Sequence, residues 1–294
     1  MEAVAQPLSL RATRRSRRRL RVNKLMEGLA TTAAALALGA LGLVVVSVFV
    51  RAWPALHVSL FTHAPNLIGG PGGGISSAII GSALIVGMAT GMALPVGVLG
   101  AVYLTEFATR RVAAFVQLCL DVLNGMPTIV TGIFVYGLLV IGHVQSAFAG
   151  AFALAIVMLP LVLRASQEVL LLVPQSLREA SLALGVSRWR TTLGVVLPSS
   201  LGGILTGTVI AVARAAGETA PLLFTCSIFN PAVSTDVTKA LPNIPVLIFT
   251  YSEQPDQVLH EQAWGAALVL MGFVLVASVA ARMLLVRSRR KLGQ

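Results

Sequence analysis

The chain has 294 residues, 56% of them hydrophobic and only 11% charged, with a formal charge of +11. Soluble domains carry about 25% charged residues, so this composition excludes a soluble enzyme or a solvated binding module and is that of an integral membrane protein. A net positive charge spread over a soluble surface would suggest nucleic acid, but here the basic residues are grouped between apolar runs, as in membrane topogenesis.

In chain order, a basic arm over 1–27 holds eight Lys and Arg between positions 11 and 24. Such a tract also occurs in nucleic-acid binding or nuclear import; immediately before an apolar run it reads as a cytoplasmic anchor. The first run, about 28–50, exceeds the 7–15 residues of a signal core and is expected to remain as an uncleaved helix. A loop ending in G-G-P-G-G-G at 69–74 follows. Without a G-x4-G-K-[ST] sequence anywhere in the chain it is a turn and not a phosphate cradle.

Further apolar runs at about 78–104, 113–141, 147–163, 199–225 and 264–286 bring the total to six, each near the length of about 20 residues that crosses hydrocarbon. Barrel-like alternation is absent from them, so helices are predicted. The third run contains D-V-L-N-G-M-P-T, in which Asp121, Asn124, Gly125 and Pro127 predict either a simple kink or a hinge of a translocation path. The last outside loop, about 226–263, is long enough to meet an external protein. Its stretch at 241–251 is apolar but too short to span, which suits a re-entrant or interfacial segment. Cys119 and Cys226 carry no redox inference, and His57, His63, His143 and His260 are read as loop residues without metal-ligand spacing.

If six helices alternate, 19 of the 22 basic residues fall on one side, in the arm, at Arg110 and Arg111, between positions 164 and 190, and from Arg282 to Lys291. That bias places both termini in the cytoplasm. The same side receives the longest polar interruption, 174–198. There Ser176 and Glu179 have capping-box spacing, and Gly185 is placed to stop a first short helix in left-handed geometry. A second short helix would carry Trp189 and Leu193 to Pro198. Leu177, Ala180, Ala183 and Leu184 make an apolar stripe that a cytoplasmic loop has no core to bury, with Arg178, Glu179, Arg188 and Arg190 as its charged rim. An amphipathic helix lying on lipid is the alternative.

The string E-A-S-L-A-L-G, nine residues, then V-V-L-P resembles the E-A-A-x3-G-x9-I-x-L-P coupling segment by which membrane subunits of ATP-binding-cassette importers grip their ATPases. By that resemblance Glu179, Ala180, Ser181, Gly185, Val195, Leu197 and Pro198 are the ATPase-coupling residues; Ser181 and Val195 depart from the pattern by similar-sized replacements.

The fifth run holds Arg214 near its middle and Glu218 one turn on. A central intramembrane charge costs about 2.5–3.5 kcal/mol on insertion scales. The pair either locks helices together or presents a guanidinium to an oxyanion on a substrate route. The strings R-A-A-G-E-T-A-P-L, A-V-Y-L-T-E-F, D-V-L-N-G-M-P-T-I-V, M-L-P-L-V-L-R-A-S-Q-E and L-P-N-I-P-V-L-I-F-T-Y are similar to PstA-type permeases of the high-affinity phosphate importer, over roughly 75–285.

This resemblance implies an all-α integral membrane protein with six transmembrane helices in the type I importer permease (MetI-like) fold. The expected divisions are the arm at 1–27, a permease domain at 28–286 with its coupling segment at 174–198, and a basic cytoplasmic tail at 287–294. It implies a substrate pathway at Arg214, Glu218, Arg164 and Glu168, with Arg164 and Glu168 spaced to pair. No catalytic or metal site is expected, and ATP and magnesium belong to a partner. The implied partners are a second, homologous PstC-type permease, a PstB-type ATPase dimer, an external PstS-type phosphate-binding protein and the inner membrane of a prokaryote, without nucleic acid. A permease for sulfate or molybdate, or a phosphate-sensing membrane component, is the alternative. A channel or secondary carrier would lack a reason for the coupling segment and usually shows inverted repeats.

Overall fold

The computed structural model describes residues 14–65, 73–227 and 233–291, and side chains over 18–65, 73–227 and 233–283. Positions 1–13 of the basic arm, 66–72 of the glycine-rich loop, 228–232 and the last three residues of the tail lie outside it. By packing, the chain divides into Met1–Val50 and Arg51–Gln294. Helix α1, Arg14–Ala52, starts inside the segment expected to be an arm. From Leu29 to Val46 its large apolar side chains are exposed, as suits a surface facing lipid or another subunit.

The second unit is built from short α2 (Val58–Thr62), α3 (Ser76–Val102), α4 (Arg110–Gly125), α5 (Thr128–Val135) and α6 (Ala147–Leu171). It continues with α7 (Gln175–Ala183), α8 (Arg188–Thr191), α9 (Leu197–Ala215), α10 (Ala220–Thr225), α11 (Ile244–Ser252) and α12 (Gln257–Lys291). Single π-helical turns extend α3 at Tyr103–Phe107, extend α5 at Tyr136–Val140 and lead into α9 at Thr192–Val196.

At the centre, α3 packs along α6, and α6 along α9. Ile85, Leu154, Met158, Val162, Ala211 and Leu222 form the main buried cluster. Lipid supplies no hydrophobic drive between helices, so close association needs small residues. Gly203 and Gly207, one turn apart on α9, meet Val169 and Ala165, one turn apart on α6; a Cβ added at either glycine would lie 2.5 Å from its neighbour.

Among the described residues, five helices are long and apolar enough to cross a membrane, and α4 with α5 makes a sixth span only as a bent pair, turned through 97°. The third run is therefore a break and not a kink. Met126 takes the extended backbone that a following proline favours, and Pro127 caps the new helix. The fourth run is longer than expected, reaching Leu171. The fifth is shorter: α9 stops at Ala215, a turn follows, and α10 is separate, because Gly217 and Pro221 interrupt the pattern. The 241–251 stretch is short helix α11, packed on α12 and α3 with Leu247 and Tyr251 buried. His260, expected in a loop, lies in α12.

The last loop also closes the end of α6. Its first amides have no intrahelical acceptors. Ser146 Oγ accepts from Ala149 N–H at 3.1 Å, while the Lys239 and Val237 carbonyls accept from Ala147 and Phe148 at 2.8 and 3.1 Å.

Candidate functional site

Two sets of residues singled out by the sequence sit in different parts of the second unit. The first is the segment 174–198. Helix α7 begins after Pro174 and has no side-chain cap. The Ser176 capping box is not formed, because Pro174 starts the helix two residues earlier than a Ser176 cap would and leaves Ser176 inside its first turn.

Gly185 has φ +78°, and the chain reverses there into α8. Ser181 is buried, and its hydroxyl is 2.9 Å from that of Thr191 on α8, so the two short helices close into one hairpin. The expected second helix carries Trp189 but stops at Thr191; Leu193 and Val195 fall in the π-helical turn, and Leu197 and Pro198 open α9. Leu177, Leu182, Leu184, Trp189 and Leu193 are exposed, as are Glu179, Ala180, Gly185 and Pro198, while Val195 and Leu197 are half-buried. The hairpin thus shows an apolar surface rimmed by charge.

Arg178 does not belong to that rim. Its side chain is only 14% exposed and pairs with Glu106, 12% exposed, at 2.9 Å. Two further contacts run from its guanidinium to the carbonyls of Val173 at 2.5 Å and Leu170 at 2.8 Å. These are end-of-helix acceptors of α6, where a cation is favoured.

The second set surrounds the α4–α5 break. A cavity of about 60 Å³ is lined by Asn124, Thr128, Thr131 and Arg214, with Leu123, Met126, Ile156, Val157 and Leu161. Arg214 is in the last turn of α9 and not in mid-helix, so the negative end of the helix dipole favours its charge. Its Nε is 3.9 Å from Glu218 Oε1, with side chains 63% and 18% exposed. This is a long, loosely held pair across the Ala216–Gly217 turn.

Arg164 pairs with Asp121 of α4 and not with Glu168; Glu168 is exposed and, among the described residues, makes no ion pair. Asp121 is three residues from Asn124 on α4, and Arg164 three from Leu161 on α6. The pair therefore lies about one helical turn from the cavity lining on both helices. Asp121 and Asn124 are expected from the sequence at a kink or at a hinge of the translocation path, without a partner across the fold. Thr128 and Thr131 were missed and could have been found from the polar residues flanking Pro127.

Five spans and a broken sixth, a protruding hairpin at 174–198 and a polar cavity at a helix break define a membrane permease. Residues 93–290 match the family of binding-protein-dependent transport system inner membrane components. The chain belongs to that family and, within it, to the PstA-type phosphate transport system permeases. It is 40% identical over 267 residues to the phosphate transport system permease protein PstA of Haemophilus influenzae, covering 89% of this chain and 93% of that protein. It is 40% identical over 223 residues to PstA 1 of Mycobacterium tuberculosis strain H37Rv, covering 74% of this chain and 72% of that protein. A solved structure of the MetNI methionine transporter, inward facing, superposes with a TM-score of 0.55 at 19% identity over 72% of this chain and 96% of that one. That likeness shows the fold, which is the MetI-like permease fold that the family resemblance implied.

Proposed function

We propose that this chain forms half of a pathway for inorganic phosphate, with uptake driven by ATP hydrolysis on partner subunits at the inner membrane. The observation that carries the reading is Arg214 lining a polar cavity at a broken helix. Phosphate is a tetrahedral oxyanion whose oxygens take charge-assisted hydrogen bonds from a guanidinium. Asn124, Thr128 and Thr131 offer further donors and also acceptors, which a protonated phosphate oxygen requires. Broken spanning helices are a recurrent way to bring polar groups to an anionic substrate. One turn away, Arg164 supplies a second cation, already balanced by Asp121. The PstA relatives support phosphate over sulfate or molybdate.

The exposed apolar face of the 174–198 hairpin suits a PstB-type ATPase dimer, which would bind ATP and magnesium. A PstC-type permease would form the other half of the pathway, and a PstS-type protein would deliver phosphate from outside. The basic bias places both termini in the cytoplasm in this reading. The chain itself makes or breaks no covalent bond.

The test is phosphate uptake per assembled complex in Arg214→Gln, Glu218→Gln and the double variant. Truncating one member leaves the other charge less balanced, whereas the double variant removes both. Normal assembly of the double variant with poor uptake is the expected result. Full uptake by that variant would remove Arg214 from the pathway and leave the pair as packing.

A further inference from the structure

We propose that the π-helical turn Tyr103–Phe107 is the receiving end of the docking hairpin, with Glu106 and Phe107 acting as positioning residues that carry its movement into α3 and α6. The proposal rests on the ATPase-docking reading of 174–198 and adds a second, distant element to it.

Both short helices of the hairpin converge on these two consecutive residues. From α7, Arg178 donates to Glu106 Oε1 through Nε at 3.2 Å and Nη2 at 2.9 Å. From α8, the Trp189 ring lies against Phe107 with centroids 5.8 Å apart and planes at 47°. The Ser181–Thr191 hydrogen bond closes α7 onto α8, so the two contacts cannot move independently without opening the hairpin.

Stability alone is a poor reason for the Arg178–Glu106 pair. Removing two charges from water is costly, and apolar replacements of similar volume often serve a fold as well or better. What the pair adds is direction. One guanidinium ties three elements at fixed distances: α7, on which it sits, the α3 extension through Glu106, and the end of α6 through the Leu170 and Val173 carbonyls. Apolar surfaces slide; a forked donor held by three acceptors does not. The π-helical geometry at 103–107 is itself uncommon and frequent at functional positions.

Beyond the turn, the connection is continuous. Helix α3 packs along α6 and α6 along α9, whose last turn carries Arg214. A displacement of the hairpin therefore reaches the helices that bear the cavity through packed elements and a largely buried ion pair. With Glu106 neutral or Phe107 shortened, the hairpin still offers its exposed face to a partner, but its movement is no longer held in register with α3.

The experiment uses the complete importer in liposomes, with phosphate-loaded binding protein, and reads ATP hydrolysis and phosphate uptake together. Glu106→Gln and Phe107→Ala are expected to assemble and keep basal hydrolysis, while phosphate moved per ATP falls about tenfold. Phe107→Leu should recover part of the loss. Phe107 and Trp189 are both exposed, so Phe107→Ala decides the matter even if Glu106→Gln fails to assemble. Unchanged phosphate per ATP in assembled Phe107→Ala overturns the proposal, as does a loss of ATPase association in that variant, which would make Phe107 part of the docking face. A wild-type complex that hydrolyses ATP in response to binding protein yet moves no phosphate would refute the substrate reading alone. The turn would then be judged by loss of that stimulated hydrolysis in Phe107→Ala.

Discussion

The Ser181 hydroxyl meets the Thr191 hydroxyl at 2.9 Å across the Gly185 turn, and both residues are buried. Serine stands here where the importer pattern has alanine, and the hydrogen bond gives the replacement a use. Ser181→Ala should weaken hairpin closure by about 1 kcal/mol, the net worth of an ordinary hydrogen bond. Binding of the assembled permease to its ATPase, titrated in detergent, should weaken several-fold. Unaltered affinity would mean the hairpin holds without this bond.

Gly185 at φ +78° is the position where a side chain meets a backbone penalty of about 1–2 kcal/mol. Gly185→Val should insert normally but lose ATPase association, whereas Gly185→Asn, a residue that tolerates this geometry, should keep most of it. Equal losses in the two variants, measured by co-purification, would show that the defect is not conformational.

Arg164 and Asp121 are 45% and 58% exposed, and an exposed pair contributes about 0–1 kcal/mol. Asp121→Asn and Arg164→Gln should therefore leave thermal stability nearly unchanged. If Arg164 serves the substrate, uptake should drop in Arg164→Gln while assembly persists. A fall in stability matching the fall in uptake would mark the pair as structural.

At Gly207, a Cβ would stand 2.5 Å from that of Ala165. Gly207→Ala should destabilise by about 1–3 kcal/mol through overpacking, and adding Ala165→Gly should recover most of it. Melting of the purified subunit in detergent checks both. A neutral Gly207→Ala would mean that α6 and α9 readily part.

Asp236 lies in the last loop, and hydrogen bonds from the Thr238 side chain and backbone, with a further one from Lys239, lower its pKa below the ordinary 3.8. Its contribution to the loop is present above the unfolded value and disappears as pH falls through the lower folded one. Hydrogen exchange of 236–239 should accordingly stay constant from neutral pH down to the ordinary aspartate range, after allowing for intrinsic rates, and lose protection only below it. Loss near pH 6 would contradict this.

Spans, their number and the turn at Gly185 between two short helices were legible because each depends on local length, periodicity or a short motif. Pairings across the chain were not. Glu168 is Arg164's neighbour in sequence, yet the ion pair forms with Asp121, 43 positions away; Arg178 looks like a surface residue until Glu106, 72 positions away, is brought beside it. Prolines show the same limit. Pro95 is accommodated within α3, which buries ten residues, whereas Pro127 ends a helix in which only Leu120 is buried. Packing overrides the proline preference in the first case and is too sparse to do so in the second. Met126 and Thr128, on either side of Pro127 at that break, line the cavity at Arg214.

The same break bears on how the chain enters a bilayer during synthesis. At 16 and 8 residues, α4 and α5 each fall short of the about 20 residues by which an insertion machine recognises a span. A nascent chain truncated just past Val140 should leave this region unsettled in glycosylation mapping, and extension through α6, against which both pieces pack, should fix it. Biogenesis would then follow tertiary order here, with a later helix required before an earlier one can take its place.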